Sequence, residues 1–210
     1  MSIAVQPPKT VLPPRHALGA DVLKQLFSEA RTHGAFTAKG VPDSLLKHAV
    51  ELAEFGPTSL NVLPMRIVFV RSKEAKAKLG PTLAPGNLDK TLVAPVTAII
   101  AYDVKFYDDL PRNFPFIPDA REWFAHDEKV ADGVASFNGA LQGGYFTLAL
   151  RALGLDAGPM GGFDKAKCDE AFFAGTSWKS NFLINIGYGE DHVPFPRLSR
   201  YSVDEMAKFI

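Results

Sequence analysis

The sequence predicts an α+β fold. Helical patterns outnumber strand patterns, and the strands are not separated by regularly spaced crossover helices. No internal repeat suggests another architecture. At 210 residues with 47% hydrophobic side chains, the chain has enough material for one well-cored domain.

The elements follow in order. Ala20 to Thr32 reads as a helix with Val22, Leu23, Leu26, Phe27 and Ala30 on one side. Pro42 to Phe55 is a second helix. Pro42 suits its first turn, Asp43 lies near the positive dipole end, and Leu45, Leu46, Ala49, Val50, Leu52 and Ala53 form a wide apolar stripe. Gly56 is read as its stop. Arg66 to Arg71 has the length and β-branched content of a strand. Lys73 to Leu79 and Leu88 to Leu92 are short helical pieces, and Val96 to Tyr102 is a second, more buried strand. Gly133 to Leu150 carries no charged side chain, a length that invites a membrane reading. Ser136, Asn138, Gln142, Thr147 and four glycines (133, 139, 143, 144) argue against it. With Arg151 to Leu153 this stretch becomes a long central helix ended by Gly154. A helix without a charged face must be covered nearly all round. Part of it is therefore expected against a second copy of the chain, with Gly139, Gly143 and Gly144 admitting the partner's backbone. Pro159 to Phe163 reads as a glycine-rich loop, Lys165 to Phe172 as a helix, Phe182 to Tyr188 as a third strand and Val203 to Phe209 as a terminal helix. Residues 1–17 contain Pro7, Pro8, Pro13 and Pro14 and no signal-peptide core; they form either an extended arm on a partner or a disordered tail. Residues 18–210 form the single domain.

Charge is balanced, 23 basic against 23 acidic side chains, with no basic run, so a nucleic-acid surface is not expected. The one cysteine, Cys168, excludes an intrachain disulfide and suits a reducing cytoplasm. Asp169 and Glu170 beside it disfavour a thiolate, which makes it a small buried helix residue. No histidine pair flanks a Glu and no cysteines pair, so no metal site is expected. Gly187-Tyr188-Gly189 follows a strand, but Glu190-Asp191-His192 would place acidic groups where a pyrophosphate must sit. His16, His48 and His192 are assigned to the surface.

What remains is a set of polar blocks. Gly56-Pro57-Thr58-Ser59-Leu60-Asn61 joins a helix to a strand; it is either an ordinary helix stop or a turn presenting N–H, hydroxyl and amide groups to a flat polar ligand. Arg31-Thr32-His33 sits at a helix end, and Arg197 and Arg200 flank Leu198-Ser199. Guanidinium groups beside a hydroxyl suit a phosphate monoester. Asn87 and Lys90 stand three apart on one helix face, an amide and an ammonium for an electron-rich ring edge. Pro159-Met160-Gly161-Gly162-Phe163 offers main-chain donors without bulky side chains.

Taken in order, these blocks resemble the FMN-dependent nitroreductase family, from about Leu18 to the C-terminus. The carrying residues are Arg31-Thr32, Gly56-Pro57-Thr58-Ser59-x-Asn61-x-x-Pro64, Asn87-x-x-Lys90, Gly158-Pro159-Met160-Gly161-Gly162-Phe163 and Arg197/Arg200. Phe106-Tyr107, Asp119-Ala120-Arg121-x-Trp123-Phe124 and Arg151-Ala-Leu-Gly-Leu-Asp156 resemble the malonic semialdehyde reductase branch linked to pyrimidine breakdown. The resemblance implies a nitroreductase-like fold, with a central mixed or antiparallel sheet flanked by helices, in an intertwined homodimer with FMN at the subunit interface. It implies that Arg31, Thr32, Arg197 and Arg200, with His33 beside them, hold the FMN phosphate. Asn87 and Lys90 would contact the pyrimidine side of the ring, Lys90 acting electrostatically. Pro159, Met160, Gly161 and Gly162 would offer contacts near the reactive nitrogen, and Pro57, Thr58, Ser59 and Asn61 would come from the other subunit. The implied reaction is ping-pong hydride transfer from NADH or NADPH to a small carbonyl compound, malonic semialdehyde giving 3-hydroxypropionate. A broad nitroreductase or quinone reductase, or a non-catalytic flavin-binding protein, are the alternatives. Gly34, Leu63, Met65 and Gly161 depart from the wider family pattern, Gly34 leaving the phosphate one cation fewer. The catalytic residue itself is not identified. Residues 104–130 form the expected specificity insert, in which Arg121 would fork a substrate carboxylate and Phe124 would wall the pocket. The other reading of this insert is an aromatic cluster that stiffens a long loop.

Overall fold

A computed structural model describes residues 13–191, 193 and 195–210. Residues 1–12, most of the expected arm, and His192 lie outside them. The first helix begins at Ala20 as α1 (Ala20–Leu23) and widens into a π-helical turn over Lys24–Ser28. It stops short of the expected Thr32 because the following chain is drawn away: the Ala30 carbonyl accepts from Arg197, and the Arg31 guanidinium turns to the Phe195 carbonyl. The helix α2 (Asp43–Ala53) has Pro42 just outside it, in extended backbone. Gly56 does not end it through a left-handed turn. Its small size is required because a Cβ there would lie 2.9 Å from Tyr145 Cγ.

The strand β1 (Met65–Val70) leads into α3 (Lys73–Leu79), whose bounds match the expectation; Ser72 caps it by accepting from Ala75 N–H. Next come α4 (Pro85–Val93) and β2 (Val96–Asp103). Two short helices, α5 (Leu110–Asn113) and α6 (Glu122–Ala125), precede the long α7 (Glu128–Ala152). Its start, five residues ahead of the uncharged stretch, is fixed by Asp127, whose carboxylate accepts from Lys129 and Val130 N–H. Gly154 ends it as expected. With φ +75 it sits in the left-handed region, while its N–H bonds to Arg151 O and Leu155 N–H to Leu150 O.

The strand β3 (Asp156–Met160) is not among the expected strands, and its last two residues fall in the loop expected over Pro159 to Phe163. Gly158 and Pro159 hide it, and its place at the sheet edge is what lets a strand carry proline. α8 (Lys165–Phe173) and β4 (Trp178–Gly187) follow; α9 (Val203–Met206) is shorter than expected, with a Ser202–Glu205 capping box.

The four strands run antiparallel throughout in the order β1-β2-β4-β3. Helices α2 and α7 cover one face, where Ile100, Ile184 and Ile186 meet Leu46, Ala49, Phe146 and Leu150. On the other face Ile99 and Leu183 meet Leu79 of α3 and Cys168 of α8. The two-residue period thus sends Ile99 and Ile100 into different cores, and β2 reads as a continuous apolar run because both sides are covered. Burial, then Asp169, pushes the Cys168 thiol up to about 12, which leaves it an inert core residue.

One expectation about α7 fails. Gly139 and Gly143 face the chain's own sheet rather than a partner: a Cβ at Gly139 would meet Tyr102 Cβ at 3.0 Å, and one at Gly143 would meet Phe182 Cζ at 2.5 Å. Four-residue spacing keeps them on the side of Gln142 and Phe146. Only Gly133 and Gly144 point outward. That outer side is nonetheless apolar, since Phe137, Leu141 and Tyr145 are 69%, 39% and 40% exposed. Among the described residues, no helix is long and apolar enough to cross a membrane.

Candidate flavin and phosphate site

Residues 27–32 and 195–200 meet in a cationic cavity of about 380 Å³. Arg31, Thr32, Arg151, Arg197 and Arg200 line it with Phe27 and Phe195, and no carboxylate is among its lining residues. A reciprocal clasp builds its walls: Arg31 Nη2 donates to Phe195 O, and Arg197 Nη2 donates to Ala30 O at 2.9 Å. Each bond uses one donor of a five-donor guanidinium, leaving others for a ligand. Arg200 turns one nitrogen to the Leu198 and Ser199 carbonyls, 3.0 Å each.

A second cavity, about 260 Å³, shares Arg31 and Thr32 with the first and adds His33, Gly34, Lys90 and Val193. His33 is wedged in place. Its Nε2 lies 3.4 Å from Asp156 Oδ1, and Gly189 is so close that a Cβ there would fall 2.2 Å from His33 Nδ1. Asp156 Oδ2 in turn accepts from Gly189 N–H at 2.7 Å. Such a role for Asp156 is not legible in the chain, because its partners come from segments remote along it.

Helix α4 presents Lys90 to this groove and, one turn earlier, Asn87. The Asn87 Nδ2 donates to Gly162 O at 2.8 Å, so the amide–ammonium block and the glycine block do meet. A Cβ at Gly162 would sit 2.6 Å from Asn87 Nδ2 and push that amide aside, whereas Gly161 faces open space. A buried network fixes α4. Lys76 Nζ donates to Thr91 O and Thr97 Oγ1; Thr97 Oγ1 donates to Asn185 Oδ1, and Asn185 Nδ2 donates to Lys90 O and Thr91 Oγ1. Burial pushes the Lys76 ammonium down to about 8. Pro159 and Met160 depart from expectation, lying in β3 rather than a loop. The Met160 side chain is 8% exposed and its sulfur faces Thr91 and Asn185, so only its main chain can serve a ligand.

Pro57, Thr58, Ser59 and Asn61 line neither cavity of their own chain. They form a strained segment between α2 and β1, held against α7. Leu60, Asn61 and Leu63 all have left-handed backbone, at φ 49, 53 and 43. Such conformations cost about 1–3 kcal/mol each and persist only where surroundings impose them. The imposition comes from two buried amides one turn apart on α7: Asn138 Oδ1 accepts from Ser59 N–H at 2.9 Å, and Gln142 Oε1 accepts from Met65 N–H at 3.0 Å. Thr58 Oγ1 accepts from Leu63 N–H, and Asn61 Nδ2 donates to Asn113 O. Sequence reasoning used Asn138 and Gln142 only against a membrane span. Their presence in an otherwise uncharged helix was the available signal.

The structure places Arg121 and Phe124 among partners from their own segment. Arg121 is spent on two carboxylates, Nη2 at 2.8 Å from Asp108 Oδ1 and Nη1 at 3.0 Å from Glu122 Oε1, and it lies over the Tyr107 ring. Phe124 is buried edge-to-face against Phe106, with ring centroids 5.1 Å apart. Together with Leu110, Ala120, Ala131 and Ala135 they build a satellite core that stiffens residues 104–130.

The profile described as "Nitroreductase family" matches residues 28–188. A protein of Stenotrophomonas maltophilia, named as a candidate NADH dehydrogenase/NAD(P)H nitroreductase, is 58% identical over 193 residues, covering 92% of this chain and 98% of its own. Among solved structures, a candidate nitroreductase of Bacillus subtilis superposes with TM-score 0.82 at 19% identity, covering 91% of this chain and 100% of its own. A candidate nitroreductase of Exiguobacterium sibiricum, solved in complex with FMN, gives TM-score 0.77 at 21% identity, covering 92% of this chain and 99% of its own.

Proposed function

The chain belongs to the nitroreductase family, and from that premise we propose that it is an FMN-dependent oxidoreductase using NADH or NADPH, active as a homodimer. The observation that carries this reading is the acid-free arginine cavity opening, through Arg31 and Thr32, into the groove of Lys90. A flavin phosphate fits the first. The Asn87–Gly162 contact beyond Lys90 fits a planar ring edge, because the neighbouring Gly161 has nothing within 4 Å of a Cβ and leaves its main chain open to the ring. FMN, when bound, supplies hydride transfer between a nicotinamide and a small acceptor.

The protein's part is to bind and orient. Arg31, Thr32, Arg197 and Arg200 grip the phosphate, His33 packs beside them, and Lys90 sets a positive charge where the ring gains electrons. Gly161 and Gly162 offer main-chain groups. Pro57, Thr58, Ser59 and Asn61 complete the site from a second subunit. The apolar stripe of Phe137, Leu141 and Tyr145 supports that last role. It adjoins this segment, as Gly56 packs on Tyr145 and Ser59 bonds to Asn138, so a copy docking on the stripe also meets the segment. Light scattering should give a dimer for the wild type and a monomer for Phe137→Asp/Leu141→Asp; a monomeric wild type at micromolar concentration would refute the shared site.

For the acceptor, we propose a small carbonyl compound, malonic semialdehyde, on the strength of the resemblance in residues 106–124 and 151–156. The name of the Stenotrophomonas relative favours nitro compounds instead. The purified protein should be yellow and release a chromophore of FMN mass. NADH or NADPH oxidation should then run faster with malonic semialdehyde than with nitrofurazone. The reverse order would move the assignment to a nitroreductase, and a colourless protein that fails to take up FMN would end the flavin reading.

A further inference from the structure

Arg151 stands at the last turn of α7 and lines the arginine cavity with Arg31, Arg197 and Arg200. Its surroundings are unusual for a guanidinium. Burial holds it below the ordinary arginine value; Asp156 opposes that shift and Arg197 adds to it. Asp156 is itself engaged by His33 and Gly189 N–H. No carboxylate pairs with Arg151 among the described ion pairs. Its Nη1 donates to Leu26 O at 3.0 Å, and its carbonyl accepts from Gln25 Nε2 at 2.7 Å, so the π-helical turn locks it in place. Its Nε, fully buried, finds no acceptor among the described residues. Native proteins rarely leave a buried donor unmade without a reason.

Four guanidinium groups share one cavity whose lining supplies no negative charge. Arginine stays protonated at any physiological pH, so like charges gather here at a cost that Asp156, which lines an adjoining cavity with Arg31 and Arg151, offsets only in part. A doubly charged phosphate monoester, with three acceptor oxygens, meets both the charge and the guanidinium donors that the carbonyl contacts of Arg31, Arg197 and Arg200 leave open. Resting on the flavin reading above, we propose that Arg151 is a phosphate-recognising residue that makes the cavity select FMN over riboflavin. Arg31 and Arg197 come from segments joined by only a few bonds, whereas Arg151 is anchored on the longest helix of the fold. It supplies the fixed charge against which the other arginines close.

Flavin-stripped, full-length protein is titrated with FMN and with riboflavin, following flavin fluorescence. In Arg151→Met the FMN dissociation constant should rise roughly tenfold to a hundredfold, the loss of one charge-assisted contact, while riboflavin binding stays within about twofold. Arg151→Lys, which keeps the charge but loses the fork, should fall between Met and wild type. Equal weakening for both flavins, or an unchanged FMN constant, would overturn the proposal, because a residue that merely braces the helix cannot tell the two apart. Should the Met variant fail to fold, the Lys variant decides by the same FMN-to-riboflavin ratio. Wild-type protein that binds neither flavin would instead overturn the flavin reading itself.

Discussion

Replacing Gly143 with leucine is expected to destabilise the protein by about 3 kcal/mol or more. The first side-chain atom alone would lie 2.5 Å from Phe182 Cζ, 2.9 Å from Phe182 Cε1 and 3.2 Å from Ile100 Cγ2. None of these neighbours is the free end of a flexible side chain. Phe182 and Ile100 belong to β4 and β2, the paired central strands, so relief requires α7 to lift off the sheet. The lifted helix would carry Asn138 and Gln142 with it and release the backbone of residues 59–65. Gly133→Ala is the internal control, on the same helix but with nothing within 4 Å of the added carbon. It should stabilise by about 0.5–1 kcal/mol through the unfolded chain's lost freedom. Urea denaturation reads both. Similar midpoints for the two variants would show that close packing against the sheet does not set the spacing of α7.

The double variant Arg31→Ala/Arg197→Ala should lose nearly all FMN. Each guanidinium is proposed to make at least one charge-assisted contact, worth about 1.5–3 kcal/mol, so affinity should fall roughly a hundredfold to ten-thousandfold. The two also hold each other's segments, through Phe195 O and Ala30 O. Their effects should therefore not add: either single change already loosens the cavity wall the other needs. Gel filtration followed by absorbance checks this. A double variant that elutes with its colour intact would place the phosphate elsewhere.

Much of this arrangement could be read from the chain. The helix expected at Lys73–Leu79 has those bounds in the structure, where Ser72 supplies a local cap that fixes its start. Gly154 was read correctly as a helix end, another local signal. The edge strand at Asp156–Met160 was missed because Gly158 and Pro159 speak against a strand, and only the edge position excuses them. The arginine, lysine and asparagine blocks were identified, and the fold brings Arg31, Thr32, His33, Lys90, Arg197 and Arg200 into adjoining cavities. The partners of Arg121 are not legible in the chain, because a sequence shows a charge but not what it meets, and Asp108 sits thirteen positions away. Gly139 and Gly143 were assigned to the wrong side of α7, since a helix uncharged all round gives no sign of which face meets the sheet.

The clasp joining Ala30–Arg31 to Phe195–Arg197 spans sequence separations of 164 and 167. During biosynthesis its early half must wait, already translated, until almost the whole polypeptide has emerged from the ribosome. The four strands and the helices covering them all precede position 195, whereas the arginine cavity draws on both sides of it. A chain ending before that position would lack half of the residues proposed to line a phosphate, Phe195, Arg197 and Arg200 among them.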